Sequence, residues 1–63
     1  MEIKVNNELL TVNEGATVAH IAGKDAAGVA VAVNGKIVRK PEWDSTTLND
    51  GDDVVVIRAA YGG

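Results

Sequence analysis

Ile3 and Val5 alternate with Glu2, Lys4 and Asn6, and after Asn7-Glu8 a second apolar run covers Leu9 to Val12. A period of two marks half-buried strands, so the chain opens on a predicted hairpin. Asn13-Glu14-Gly15 breaks that pattern. The Thr17 hydroxyl then suits a helix cap, with Val18, Ile21 and Ala22 falling on one helical face. Gly23 and Gly28 both disfavour continuation, so a short helix is expected to end between residues 23 and 27.

Val29, Val31 and Val33 alternate with Ala30 and Ala32, and Asn34-Gly35 leads into Ile37-Val38. Asn-Gly accepts positive φ at both positions of a tight turn, which makes this the strongest hairpin signal in the chain. Pro41 to Asn49 is polar apart from Trp43 and Leu48, a connection expected to wrap the sheet edge with those two side chains tucked inward. Asp50-Gly51-Asp52 forms a turn before Val54 to Ala59, the most continuous apolar strand, which belongs in the middle of the sheet.

The pattern defines an α+β fold: a mixed sheet of four to five strands with one short helix packed on one face. A length of 63 residues allows a single domain, 1–63, that buries only about 60% of its unfolded surface. One helix covers one face of the sheet and leaves the other bare. Taking Arg58 as water-facing puts Val54 and Val56 on the bare face and Val55 and Ile57 against the helix. Ala30 and Ala32 join the bare face, while Val29, Val31 and Val33 build the core. Val56 is then unroofed apolar surface of the kind that marks a partner site.

Composition sharpens this picture. Eighteen of 63 residues are β-branched, which favours strand over helix, and without Phe or Cys the core is aliphatic and free of disulfides. A net charge of -3 with no basic run argues against nucleic acid and anionic membrane as partners. No apolar stretch approaches the roughly 20 residues that cross a bilayer, so a soluble, cytoplasmic protein, monomeric when free, is expected.

Side-chain catalysis finds little footing. His20 is the sole imidazole, there is no thiol, and Ser45 stands in a polar loop without a base. Asp50, Asp52 and Asp53 lack the ligand spacing of a calcium loop and read as a turn before a strand, so no metal is expected. No nucleotide-binding glycine motif is present, so no bound cofactor is expected and any ATP sits on another protein.

The chemistry concentrates in Ala59-Ala60-Tyr61-Gly62-Gly63. Paired glycines let a backbone thread a narrow channel that any side chain would obstruct. A terminal carboxylate, ionised at neutral pH, can attack the α-phosphate of ATP held by a partner, and a sulfur donor can displace the adenylate to leave a thiocarboxylate on Gly63. With few contacts of their own, residues 60 to 63 are expected to be mobile on the ps to ns scale.

In this order, several segments together resemble the ThiS family of sulfur carriers for thiamine biosynthesis, ubiquitin-like β-grasp proteins that end in Gly-Gly. They are Gly15-Ala16-Thr17-Val18, Val31-Ala32-Val33-Asn34, Ile37-Val38 with Arg39 and Trp43, Leu48 to Asp52, and Gly62-Gly63. The resemblance spans nearly the whole chain. It implies three partners: an E1-like adenylating enzyme of the ThiF type, a persulfide-bearing sulfur donor, and a thiazole synthase of the ThiG type that receives the sulfur. Carried over, Gly63 bears the adenylate and thiocarboxylate and Gly62 gives clearance. Ala60 and Tyr61 line the mouth of the partner's channel, and Val56 and Arg58 belong to the docking face. Trp43 and Arg39 match the pattern too, and both read as structural.

The chain departs from the family in a shorter, less leucine-rich helix, in Arg39-Lys40-Pro41, and in Tyr61 before the glycines. Two alternatives share the fold: a carrier for another pathway, such as the small subunit of molybdopterin synthase, and a ubiquitin-like module that binds a partner non-covalently. A stand-alone enzyme ranks last, since the chain offers neither a pocket nor a titratable pair.

Overall fold

Both tight turns of the sheet are built on asparagine. In the computed structural model, which describes residues 1–23 and 28–58, Asn34 and Gly35 have φ of 50° and 83°, and Asn6 and Asn7 have 51° and 70°. Two consecutive positive φ values match the twist of the flanking strands, so each pair closes a two-residue hairpin. The first turn is therefore Asn6-Asn7, and Glu8 belongs to the strand.

These turns join β1 (Glu2–Val5) to β2 (Glu8–Thr11) and β3 (Val29–Val33) to β4 (Lys36–Val38). Between the hairpins lies α1 (Val18–Ala22), followed immediately by Gly23 at φ 89°. The helix thus stops at the near end of the expected range. Lys24 to Ala27, the rest of that range, lie outside the described residues. A single 3₁₀ turn over Lys40–Glu42 leads through Trp43 and Leu48 to β5 (Asp53–Arg58).

The sheet order is β2-β1-β5-β3-β4, with β1 and β5 parallel at the centre and every other pair antiparallel. The central position expected for the last strand is borne out. With one short helix on one face among the described residues, this is a β-grasp sheet of five strands.

Register sets the faces, and it reverses the expectation for β5. Val5 pairs with Val54, so Val54 shares the face of Ile3 and Val5, which is the helix side. Alternation then turns Val56 inward, where it is half-buried against the core, and turns Val55 and Ile57 outward. Arg58 has the inward parity and yet is exposed. A five-residue helix is only about 7.5 Å long, against roughly 20 Å for a six-residue strand, and cannot roof the strand's end. A water-facing Arg58 therefore says nothing about which face it occupies. Ala30 and Ala32 do lie on the open face, but beside Ile57 and Val55, their direct partners, rather than beside Val54 and Val56.

The core is the cluster Ile3, Val18, Ala22, Val31, Trp43, Leu48 and Val54. Trp43 and Leu48 are buried as their spacing predicts, and the indole Nε1 donates to the Val38 carbonyl at 2.8 Å. The wrapping loop also completes the helix. Val18 N donates to the Thr46 carbonyl at 3.0 Å and Ala19 N to the Trp43 carbonyl at 3.2 Å, which satisfies donors that a helix start leaves open. Among the described residues no helix is long and apolar enough to cross a membrane.

Candidate functional site

The open face of the sheet carries its uncovered apolar surface. Val55 is 40% exposed, Ile57 58% and Ile37 68%. Alanine makes this possible: Ala32 pairs with both Val55 and Ile37, and Ala30 pairs with Ile57. A methyl group cannot shield the larger side chain beside it, so the three branched residues form one raised strip across β5, β3 and β4. Lys4 and Asp53 stand opposite each other at the margin of this face, and Leu9 extends it onto β2. A contiguous apolar surface on so small a protein is characteristic of a partner site.

The strand leading to Gly62-Gly63 is held by two asparagine side chains. At its start, Asp53 N donates to Asn34 Oδ1 at 3.0 Å, and Asn34 Nδ2 donates to Asp52 Oδ1 at 3.0 Å. The other Asp52 oxygen accepts from Asn49 N at 2.8 Å, so this buried carboxylate is satisfied. Asp50 and Asp52 thus build a turn before the strand that Asp53 opens, as expected. Asp50 Oδ1 accepts from Glu2 N at 2.8 Å.

Further along, β1 reaches its turn while β5 continues. Lys4 N donates to the Asp52 carbonyl and Asn6 N to the Val54 carbonyl, each at 2.9 Å. The next rung is made by the Asn6 amide itself: Val56 N donates to Asn6 Oδ1 at 2.8 Å and Asn6 Nδ2 donates to the Val56 carbonyl at 3.3 Å. A primary amide has the donor and acceptor of a peptide group, so it prolongs the parallel ladder by one step.

The structure places the expected site residues unevenly. Arg58 ends β5, exposed. Val56 is removed from the open face by the register: its side chain packs against the core and its backbone is held by Asn6. Ala60, Tyr61, Gly62 and Gly63 lie outside the described residues, as does the expected mobility of residues 60 to 63. Reasoning from sequence missed Val55 and Ile57. The signal for them was the shared parity of Ile3, Val5 and Val54 once β1 and β5 are paired. It also missed His20, whose Nδ1 accepts from Thr17 N at 2.9 Å and so helps to close the helix start. Among the described residues no three potential metal ligands are grouped.

Among the described residues, one short helix on a five-stranded mixed sheet, with the opposite face apolar and open, defines a small β-grasp domain. The sequence model described as the ThiS family matches residues 1–63, the whole chain, and the chain belongs to the ThiS family. The chain is 29% identical over 66 aligned positions to the sulfur carrier protein ThiS of Escherichia coli K12, with all of both chains covered. The crystal structure of a thiamine biosynthesis protein (ThiS) from Geobacter metallireducens superposes with a TM-score of 0.81 at 30% identity, covering all of both chains. A solution structure of a thiamine biosynthesis protein from the same organism gives 0.78 at 30% identity, covering 100% of this chain and 88% of the other.

Proposed function

We propose that this chain is a sulfur carrier of thiamine biosynthesis that bears the sulfur as a thiocarboxylate on Gly63. The observation that carries this reading is the match to the ThiS family over residues 1–63, a span that includes Gly62-Gly63. The full-length similarity to a protein described as a sulfur carrier adds to it.

An oxygen of the Gly63 carboxylate attacks the α-phosphorus of ATP on an E1-like adenylating enzyme, and pyrophosphate leaves. The terminal sulfur of a persulfide then attacks the acyl carbon and AMP leaves. A second thiol cleaves the resulting S–S bond, leaving the thiocarboxylate on the carrier and a disulfide on the donor. The thiocarboxylate sulfur then passes to the enzyme that builds the thiazole ring. The chain's own contribution is delivery: glycine at positions 62 and 63 admits the backbone to a narrow channel. Val55, Ile57 and Ile37 on the open face dock the activating enzyme, with Arg58 at the rim nearest the tail.

The test is intact-mass measurement after incubation with a ThiF-type enzyme, ATP and a persulfide donor, followed by fragmentation. Exchange of one oxygen for sulfur, located at Gly63, is the expected result. An unchanged mass with demonstrably active partners would leave a non-covalent interaction module as the better description.

A further inference from the structure

The backbone of β2 turns half of its polar groups away from the sheet. Met1 and Val12 exchange both of their main-chain hydrogen bonds, each at 2.9 Å. In an antiparallel ladder the bonded pairs alternate, so Glu8, Leu10 and Val12 address β1 while Leu9 and Thr11 point their N–H and C=O outward. No partner for these four groups occurs among the described residues. All four residues of the strand are exposed, with Leu9 at 66% on the open face and Leu10 at 43% on the helix face. The opposite edge is shorter: β4 has only three residues.

We infer that this edge pairs with the same edge of a second copy of the chain, antiparallel, about a two-fold axis at Leu10. The edge is self-complementary in that register. Leu9 meets Thr11 of the second copy as a bonded pair on each side of the axis, which makes four main-chain hydrogen bonds. Leu10 faces Leu10 of the second copy as the closer, non-bonded pair, roughly 4.5 Å between Cα atoms. Glu8 faces Val12 of the second copy, so no like charges meet.

Neighbouring registers fail for local reasons. An axis at Leu9 would require Asn7 to pair as a strand residue, whereas its φ is 70°. An axis at Thr11 would set Glu8 opposite Glu14 of the second copy, two like charges directly across a ladder. A groove of about 490 Å³ between β2 and α1, lined by Leu10, Val12, Ala16 and Ile21 among others, gives the facing leucines an apolar bed.

The pairing covers neither Val55, Ile57 nor Ile37, and it sends the two β5 strands toward opposite ends of a ten-stranded sheet. It is therefore independent of the sulfur-carrier reading and compatible with it. A single strand edge makes a small interface, so association is weak, half complete at about 1 mM.

Sedimentation equilibrium on the full chain from about 10 μM to about 1 mM tests this, beside Thr11→Pro and Leu10→Glu. Proline at position 11 removes only an outward N–H, and glutamate at position 10 puts like charges on the axis. Each variant should associate at least about tenfold more weakly than the natural chain. A dilution series of amide spectra on the natural chain, which needs no variant to fold, should show its largest shifts at Leu9 and Thr11. Monomer mass throughout the range, association undiminished in both variants, or shifts centred on Val55 and Ile57 would each overturn the inference.

Discussion

The side-chain amide of Asn6 stands in for a residue of the sheet, exchanging two hydrogen bonds with the backbone of Val56, 50 positions away in sequence. β1 ends at Val5, opposite Val54, two residues short of Val56, and this amide spans the gap. Val56 is therefore held at its backbone on the β1 side, while on its other side β5 stays paired with β3 through Arg58.

Because Asn6 also has φ of 51°, two effects must be separated. Asn6→Gly keeps the left-handed backbone and removes the amide, whereas Asn6→Ala loses both. Chemical denaturation should show Asn6→Gly about 1 kcal/mol less stable than the natural chain and Asn6→Ala about 2 kcal/mol less stable. Amide exchange at Val56 should speed up in both. Unchanged exchange in Asn6→Gly would show that the amide does not hold the strand.

The reversed parity of β5 yields a contrast between adjacent residues. Ile57→Asp should weaken binding to the activating enzyme about tenfold or more while leaving the melting temperature near its natural value, since Ile57 is 58% exposed. Val56→Asp should lower the melting temperature instead, because it puts a carboxylate beside the core. Calorimetric melting and titration binding on both proteins decide the matter. The opposite ranking would restore Val56 to the docking face.

For Gly62→Val the expected result is loss of adenylate formation in a protein that folds normally. ATP–pyrophosphate exchange measured beside the far-UV spectrum checks it. Exchange at the natural rate would mean that the approach to the activating site is wide enough for a branched side chain.

Trp43→Phe keeps an aromatic ring in the core but loses the hydrogen bond that the Val38 carbonyl accepts from the indole at 2.8 Å. The cost should be about 2 kcal/mol by chemical denaturation, with faster exchange in β4. A cost near zero would assign the loop's anchorage to Leu48 and to the bonds at the helix start.

Much of this was legible in the chain. Asn34-Gly35 announced its hairpin because few residue pairs accept two positive φ values, and Trp43 and Leu48 stood out as the only large apolar residues of a polar loop. Asn6-Asn7 was less visible, since asparagine enters that region only at some cost and the turn was displaced by one residue. The face of β5 was misread for a different reason. Its alternation is apolar on both sides, so its inward face is fixed by pairing with β1, 49 residues earlier at the Lys4–Asp53 step. Charge at Arg58 misled because a short helix leaves both parities wet at a strand's end. The roles of Asn6 and His20 rest on side chains meeting backbone, and no periodicity encodes that.

The place of β5 in the sheet has a bearing on how the molecule comes into being. Among the described residues it is the last strand in sequence and the central one in space, wedged between β1 and β3. Until it arrives, the two local hairpins share no ladder, and joining them requires closing a loop that spans most of the chain. Before that strand is added, the two hairpins meet only through the core residues of the helix and the wrapping loop. The apolar residues Val55 and Ile57 are delivered by the same strand that fuses the two hairpins, so the raised strip on the open face is completed in the same step as the sheet.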